Sequence, residues 1–162
     1  MWQRSAAPGA ASGRPCRRKV RSVRISAKVD YAIRALAELA VAPPGPIKGE
    51  RIASAQGIPL KFLENILLEL KRSEIVASQR GVEGGYWLAK PATEVSLADV
   101  IRAVEGPIAT VRGSRPEEVD YTGAAAGLRE VWIDLRTNMR AVLEETSLAD
   151  LVEGGESRRS NA

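Results

Sequence analysis

The chain has 162 residues, 44% of them hydrophobic but only 4% aromatic, with 24 Lys and Arg against 20 Asp and Glu. That length suits one domain or a small domain with an appended element, and an aliphatic, alanine-rich core favours closely packed helices. One cysteine, Cys16, and no histidine exclude an internal disulfide, Ser-His-Asp and Cys-His catalysis and any histidine metal site; a lone thiol fits a reducing, cytoplasmic setting.

The formal charge of +4 is unevenly spread. Six basic residues and no acid lie in residues 1–22, leaving 18 basic against 20 acidic residues elsewhere. Nucleic-acid binding must therefore rest on local placement of charge. The opening MWQRSAAPGAASGRPCRRKVRS has no apolar run long enough for a signal-peptide core or a membrane span, and its composition predicts a disordered basic tail. Such a tail is either an arm adding nonspecific DNA affinity or a segment with no role or not made in the cell; the second reading is favoured.

Ser26 is placed to cap a helix. In AKVDYAIRALAELAVA, Val29, Ile33, Leu36, Ala37 and Ala40 fall on one face and Lys28, Arg34 and Glu38 towards the other, which predicts an amphipathic helix. Pro43-Pro44-Gly45-Pro46 breaks it. A short helix centred on Ile52 and Ala53 follows and ends at Gly57. Pro59 then opens a second helix, where proline is tolerated in the first turn. Leu63, Ile66, Leu67 and Leu70 form its apolar stripe, with Lys61, Glu64, Asn65, Lys71 and Arg72 off it. Two helices joined around a glycine make a helix-turn-helix pattern, weak evidence by itself.

Residues 75–79 and 86–89 read as two short strands around the loop Gly81 to Gly85, with Pro91 ending the second. A helix-turn-helix followed by a hairpin is the order of a winged helix. SLADVIRAVEG (96–106) reads as a helix capped by Ser96, with Asp99 completing a capping box. Residues 107–123 lack periodicity. From about Ala124, Leu128, Val131, Trp132, Leu135, Met139, Val142 and Leu143 recur at spacings of three and four, like a coiled-coil seam. A helix this long can bury its stripe against a second copy of itself. Ser147 caps a last short helix, and 153–162 read as a polar, frayed end.

The glycines of SQRGVEGGYWLAKP (78–91) do not form a phosphate cradle. No Lys-Ser/Thr follows Gly85, and Gly81-x-x-Gly84-Gly85 misses the dinucleotide spacing. As a hairpin tip, Arg80 can reach a narrow groove or phosphates; an incidental exposed arginine is an equally open reading. Lys61, Glu64 and Asn65 lie in the first turns of the second helix, where Asn can pair with adenine and Glu can accept from cytosine, or they form an ordinary solvated face. No paired-carboxylate or metal constellation stands out, so no enzymatic activity and no cofactor are expected.

In order, VRISAKVDYAIRAL, IASAQGIPLKFLENIL, SQRGVEGGYWLAKP and VSLADVIRAVEG resemble the Rrf-two family of bacterial winged helix-turn-helix regulators over about residues 23–152. The resemblance implies a mainly α fold with a small β-hairpin: a winged helix-turn-helix over 23–106, a sensor-position loop over 107–123, and a dimerisation helix with a short terminal helix over 124–152. It implies a cytoplasmic homodimer that binds double-stranded DNA at a partly palindromic operator and usually represses transcription. By motif match, Lys61, Phe62, Glu64 and Asn65 fall where the family reads bases, Arg80 and Gly81 at the wing tip, and Ser26 and Tyr31 near the DNA backbone. Many members hold an iron–sulfur cluster on three cysteines that this loop lacks, so a cluster-free member is expected, answering to a small molecule, to a protein effector, or to none. Val23-Arg24-Ile25-Ser26 matches the family's usual start, which predicts initiation at Val23 through a GTG codon. The rival reading is a protein-interaction module that kept the fold, motivated by Leu68 and Glu69 on the second helix.

Overall fold

The structure, a computed structural model, describes residues 25–160. The expected basic tail and the start at Val23 lie outside the described residues. Helix α1 (Ala27–Ala40) begins where the Ser26 hydroxyl accepts the Val29 N–H at 3.1 Å. Helices α2 (Gly49–Gln56) and α3 (Leu60–Arg72) are joined by Gly57, whose left-handed backbone ends α2. Strands β1 (Val76–Gln79) and β2 (Gly85–Leu88) pair antiparallel, Val76 opposite Leu88 and Gln79 opposite Gly85. Helix α4 (Leu97–Glu105) carries the expected Ser96–Asp99 capping box, and α5 (Leu128–Glu145) and α6 (Leu148–Ser160) complete the chain. The fold is thus mainly α with one small hairpin.

A single core unites α1 to α4, the hairpin and the start of α6. Leu36, Leu63, Ile66, Leu67, Leu70, Val100 and Leu148 are all but fully buried in it. The inner stripe of α3 is the one expected. That of α1 is turned: Ala32, Ala35 and Leu39 join Val29 and Leu36 inside, while Ile33, Ala37 and Ala40 are only half-buried. Alanines face inward because α1 is packed by α2, α3, α4 and α6 together, and small side chains let helices approach closely.

Three further expectations shift. Gly85 belongs to β2, and Ile47 pairs with Tyr86 through reciprocal backbone hydrogen bonds of 2.9 and 2.8 Å. The hairpin thus gains a one-residue third rung. The long helix expected from Ala124 starts at Leu128, after a 3-10 turn at Gly123–Ala125. The last helix does not fray at residue 153 but runs on through Ser160 across Gly154 and Gly155. It is nucleated by the Ser147–Asp150 cap and the buried Leu148, which offsets a glycine cost of about 1 kcal/mol per residue.

Candidate nucleic-acid interface

The inward stripe of α3 dictates its outer face. With Leu63, Ile66, Leu67 and Leu70 buried, Lys61, Phe62, Glu64, Asn65 and Leu68 are exposed along one side. The hairpin stands beside this face. Glu64, Leu68 and Lys71 of α3 and Gln79, Arg80 and Gly81 of the hairpin line a shared groove of about 350 Å³. So Glu64, Arg80 and Gly81 are brought together, while Lys61 and Asn65 lie on the same helix outside that groove.

The loop geometry explains the glycines. Gly81 has φ +107°, a conformation L side chains rarely adopt, and its carbonyl accepts the Gly84 N–H at 3.0 Å. A Cβ on Gly84 would lie 2.7 Å from the Arg80 carbonyl carbon. A Cβ on Gly85 would lie 2.6 Å from the Ile47 carbonyl oxygen. Two lysines then fix the hairpin in place. Lys48 Nζ donates to the Gly81 carbonyl at 3.2 Å and to that of Val82, and Lys71 Nζ donates to the Ser78 hydroxyl at 2.8 Å. Sequence reasoning missed Lys48, because its partner is 33 residues away and nothing local marks it.

Tyr31 and Phe62 form one unit. Their rings meet edge-on at 5.7 Å, and the Arg34 guanidinium lies 5.6 Å from the Tyr31 ring centre. Arg34 also donates to the Gln56 side chain and carbonyl and pairs with Asp30. The cluster fastens α1 to the end of α2 and the start of α3. Ser26 spends its oxygen on the α1 cap but keeps its hydroxyl hydrogen to donate. Glu69 is not free: Lys28 holds it at 2.7 Å and donates to the Val104 carbonyl at 2.6 Å, joining α3, α1 and α4.

Helix α5 buries no residue in the single chain. Val131, Leu135 and Val142 are 55%, 46% and 65% exposed, with Leu128, Trp132 and Met139 half-buried. The preceding segment is built rather than loose. Pro116, Ile108 and Val119 are buried, Arg112 and Gly113 both take positive φ in a tight turn closed between Val111 and Ser114, and Glu117 grips Arg136 with both oxygens at 2.6 Å.

A recognition helix beside a glycine-tipped wing defines a winged helix-turn-helix protein, the class that binds DNA through those two elements. The family model described as Rrf2, iron-dependent transcriptional regulator, matches residues 25–154. A candidate HTH-type transcriptional regulator of Mycobacterium tuberculosis is 49% identical over 82% of this chain and 83% of its own. The regulator CymR of Bacillus subtilis is 33% identical over 80% and 89%; the solved structure of that global cysteine regulator superposes with a TM-score of 0.69 over 82% of this chain and 98% of its own. IscR of T. potens, 27% identical, also gives 0.69 over 84% and 90%. This chain belongs to the Rrf2 family and is a DNA-binding transcriptional regulator.

The iron of the family description does not fit the residues present. Segment 107–123 has no cysteine or histidine, and no cluster of three or more metal-ligating side chains occurs among the described residues. Two of its three carboxylates are engaged: Glu117 holds Arg136, and Glu118 accepts the Arg115 N–H at 3.2 Å. No helix among the described residues is long and apolar enough to cross a membrane.

Proposed function

We propose that the chain is a cytoplasmic homodimeric repressor that recognises a partly palindromic operator and works without an iron–sulfur cluster, as a regulator rather than an enzyme. The reading rests on the convergence of the outer face of α3 with the Arg80-bearing wing on one groove. In it, α3 enters the major groove, Glu64 and Asn65 read base edges with Lys61 and Phe62 beside them, and Arg80 and Gly81 approach the adjacent minor groove. Ser26 and Tyr31 face the phosphates.

Residues 47–90 hold seven basic and five acidic side chains, and Lys28 neutralises one of the acids, Glu69. A modest salt dependence follows. Pairing through Leu128, Val131, Trp132, Leu135, Met139 and Val142 covers an otherwise exposed stripe and gives the buried Trp132 indole N–H, which has no acceptor among the described residues, a chance of one.

Fluorescence anisotropy with the protein's own upstream DNA, across a salt series, tests the reading. Saturable binding that resists random competitor supports it; equal affinity for random DNA refutes it. Glu64→Ala should change base preference more than total affinity. Leu135→Asp should move the sedimentation coefficient from dimer to monomer. The alternative, a protein-interaction module, keeps one motive, Leu68 at 47% exposure; the pairing of Glu69 with Lys28 removes the other.

A further inference from the structure

A second cavity, about 490 Å³, lies between α4, the segment preceding α5, and α5 itself. Every charged side chain lining it is an arginine: Arg102 from α4, Arg115 from the segment, and Arg136 and Arg140 from α5, over a floor of Gly106, Pro107 and Ile108. Three carboxylates pair with its arginines; Asp99 meets Arg102 at 3.3 Å. Glu144 uses a single oxygen, Oε1, for Arg102 and for Arg140, the latter at 3.0 Å. Glu117 uses both oxygens on one Arg136 nitrogen. Donor capacity is left over. The Arg115 guanidinium has no carboxylate within 4.0 Å among the described residues. The Nε of Arg136 is buried with no acceptor among them.

We propose that this cavity binds a small multivalent anion carrying carboxylate or phosphate groups, and that the anion adjusts DNA affinity. Four guanidiniums offer planar forks that fit either oxyanion bidentately. The volume lies in the range of small-molecule sites and exceeds what a lone inorganic ion would fill. The arginines come from three segments, so an anion shared among them ties α5 to α4. Helix α4 is joined to the recognition helix through Lys28, which holds both the Val104 carbonyl and Glu69. The effect on DNA rests on the operator reading above; the binding of the anion does not.

The test titrates citrate and, separately, pyrophosphate into the full chain by calorimetry, at ionic strength matched with sodium chloride. One saturable site per chain is expected for at least one of them, and the stronger arm identifies carboxylate or phosphate as the preferred chemistry. Arg115→Ala, which removes no ion pair, should weaken binding at least tenfold. Arg112→Ala, whose guanidinium sits over Tyr121, should leave it unchanged. Glu144→Gln frees Arg140, leaves Arg102 with Asp99 alone, and should tighten binding. Circular dichroism confirms that each variant is folded. Absence of saturable binding in both arms, or equal affinity in Arg115→Ala and wild type, overturns the site. Upstream-DNA affinity is then measured with and without saturating anion. A change of about fivefold that vanishes in Arg115→Ala supports coupling, and no change overturns it. Failure to bind DNA with anion binding intact sinks the operator reading and leaves the site standing.

Discussion

Ser96 and Ser147 lie opposite each other in a two-residue antiparallel bridge: Leu97 N–H donates to the Thr146 carbonyl and Leu148 N–H to that of Val95, both at 2.9 Å. Each serine heads the same tetrapeptide, Ser-Leu-Ala-Asp, and each hydroxyl accepts its aspartate's backbone N–H at 3.1 Å while that aspartate accepts back. Helices α4 and α6 thus start from one shared, doubly capped junction. Ser96→Ala and Ser147→Ala should each cost about 1 kcal/mol in urea unfolding, and the double variant should depart from additivity because the caps adjoin. A loss under about 0.3 kcal/mol in both singles would remove the caps from the stability of the fold.

Compared with Gly57→Ala, Gly85→Ala should be the more damaging. Its Cβ meets the backbone of Ile47, which cannot rotate away, and overpacking of this kind costs about 1–3 kcal/mol. Gly57→Ala meets open space and suffers only from its φ of +62°, about 1 kcal/mol. Chemical denaturation of the two variants should rank them in that order.

Lys48→Ala should release the wing without unfolding the protein. The lysine is exposed at its contacts, and losing a tether of about 1 kcal/mol should weaken operator binding about fivefold. Amide exchange at Gly84, whose N–H closes the loop, should speed up while exchange in α3 stays slow. Arg80→Ala should lower affinity more, and reduce the salt slope by about 1. Unchanged DNA affinity in both variants would show that the wing makes no contact.

Acid should erode the fold only below the ordinary carboxylate range. Burial raises the pKa of Asp99, but hydrogen bonds from Ser96 and the charge of Arg102 outweigh it, so the group lies below its ordinary 3.8. Hydrogen bonds from Arg102 and Arg140 lower Glu144, and those from Ser147 lower Asp150. A folded value below the unfolded one gives stability that is complete above the unfolded pKa and lost as pH falls through the folded one. With no histidine to titrate, the urea midpoint should hold from pH 7 to 5.5 and fall by pH 3. Asp99→Asn should have a shallower acid limb; an equally steep limb would detach Asp99 from it.

Much of this architecture is local and therefore legible in the residues. The Ser26 and Ser96 caps, the stop at Gly57, the α3 stripe and the helix of α5 each depend on neighbours within a turn or two. What escaped is non-local. Ile47 follows a proline run and shows no strand periodicity, yet it pairs with Tyr86. Lys48 finds its acceptors only once the hairpin folds back. The inward alanines of α1 reflect four helices crowding one, which no periodicity reveals. The arginines at 102, 115, 136 and 140 are unremarkable one by one; only the return of α5 onto α4 assembles them.

An α5 that leaves Val131, Leu135 and Val142 exposed in the single chain has a consequence for the proposed dimer. In the proposed dimer, the stability gained by covering those side chains would follow mass action. A cell holding few copies would keep a larger fraction single, less stable and more open to proteolysis. Abundance itself would then be a setting of the proposed dimeric regulator, governed by how much of the protein is made as well as by what it binds.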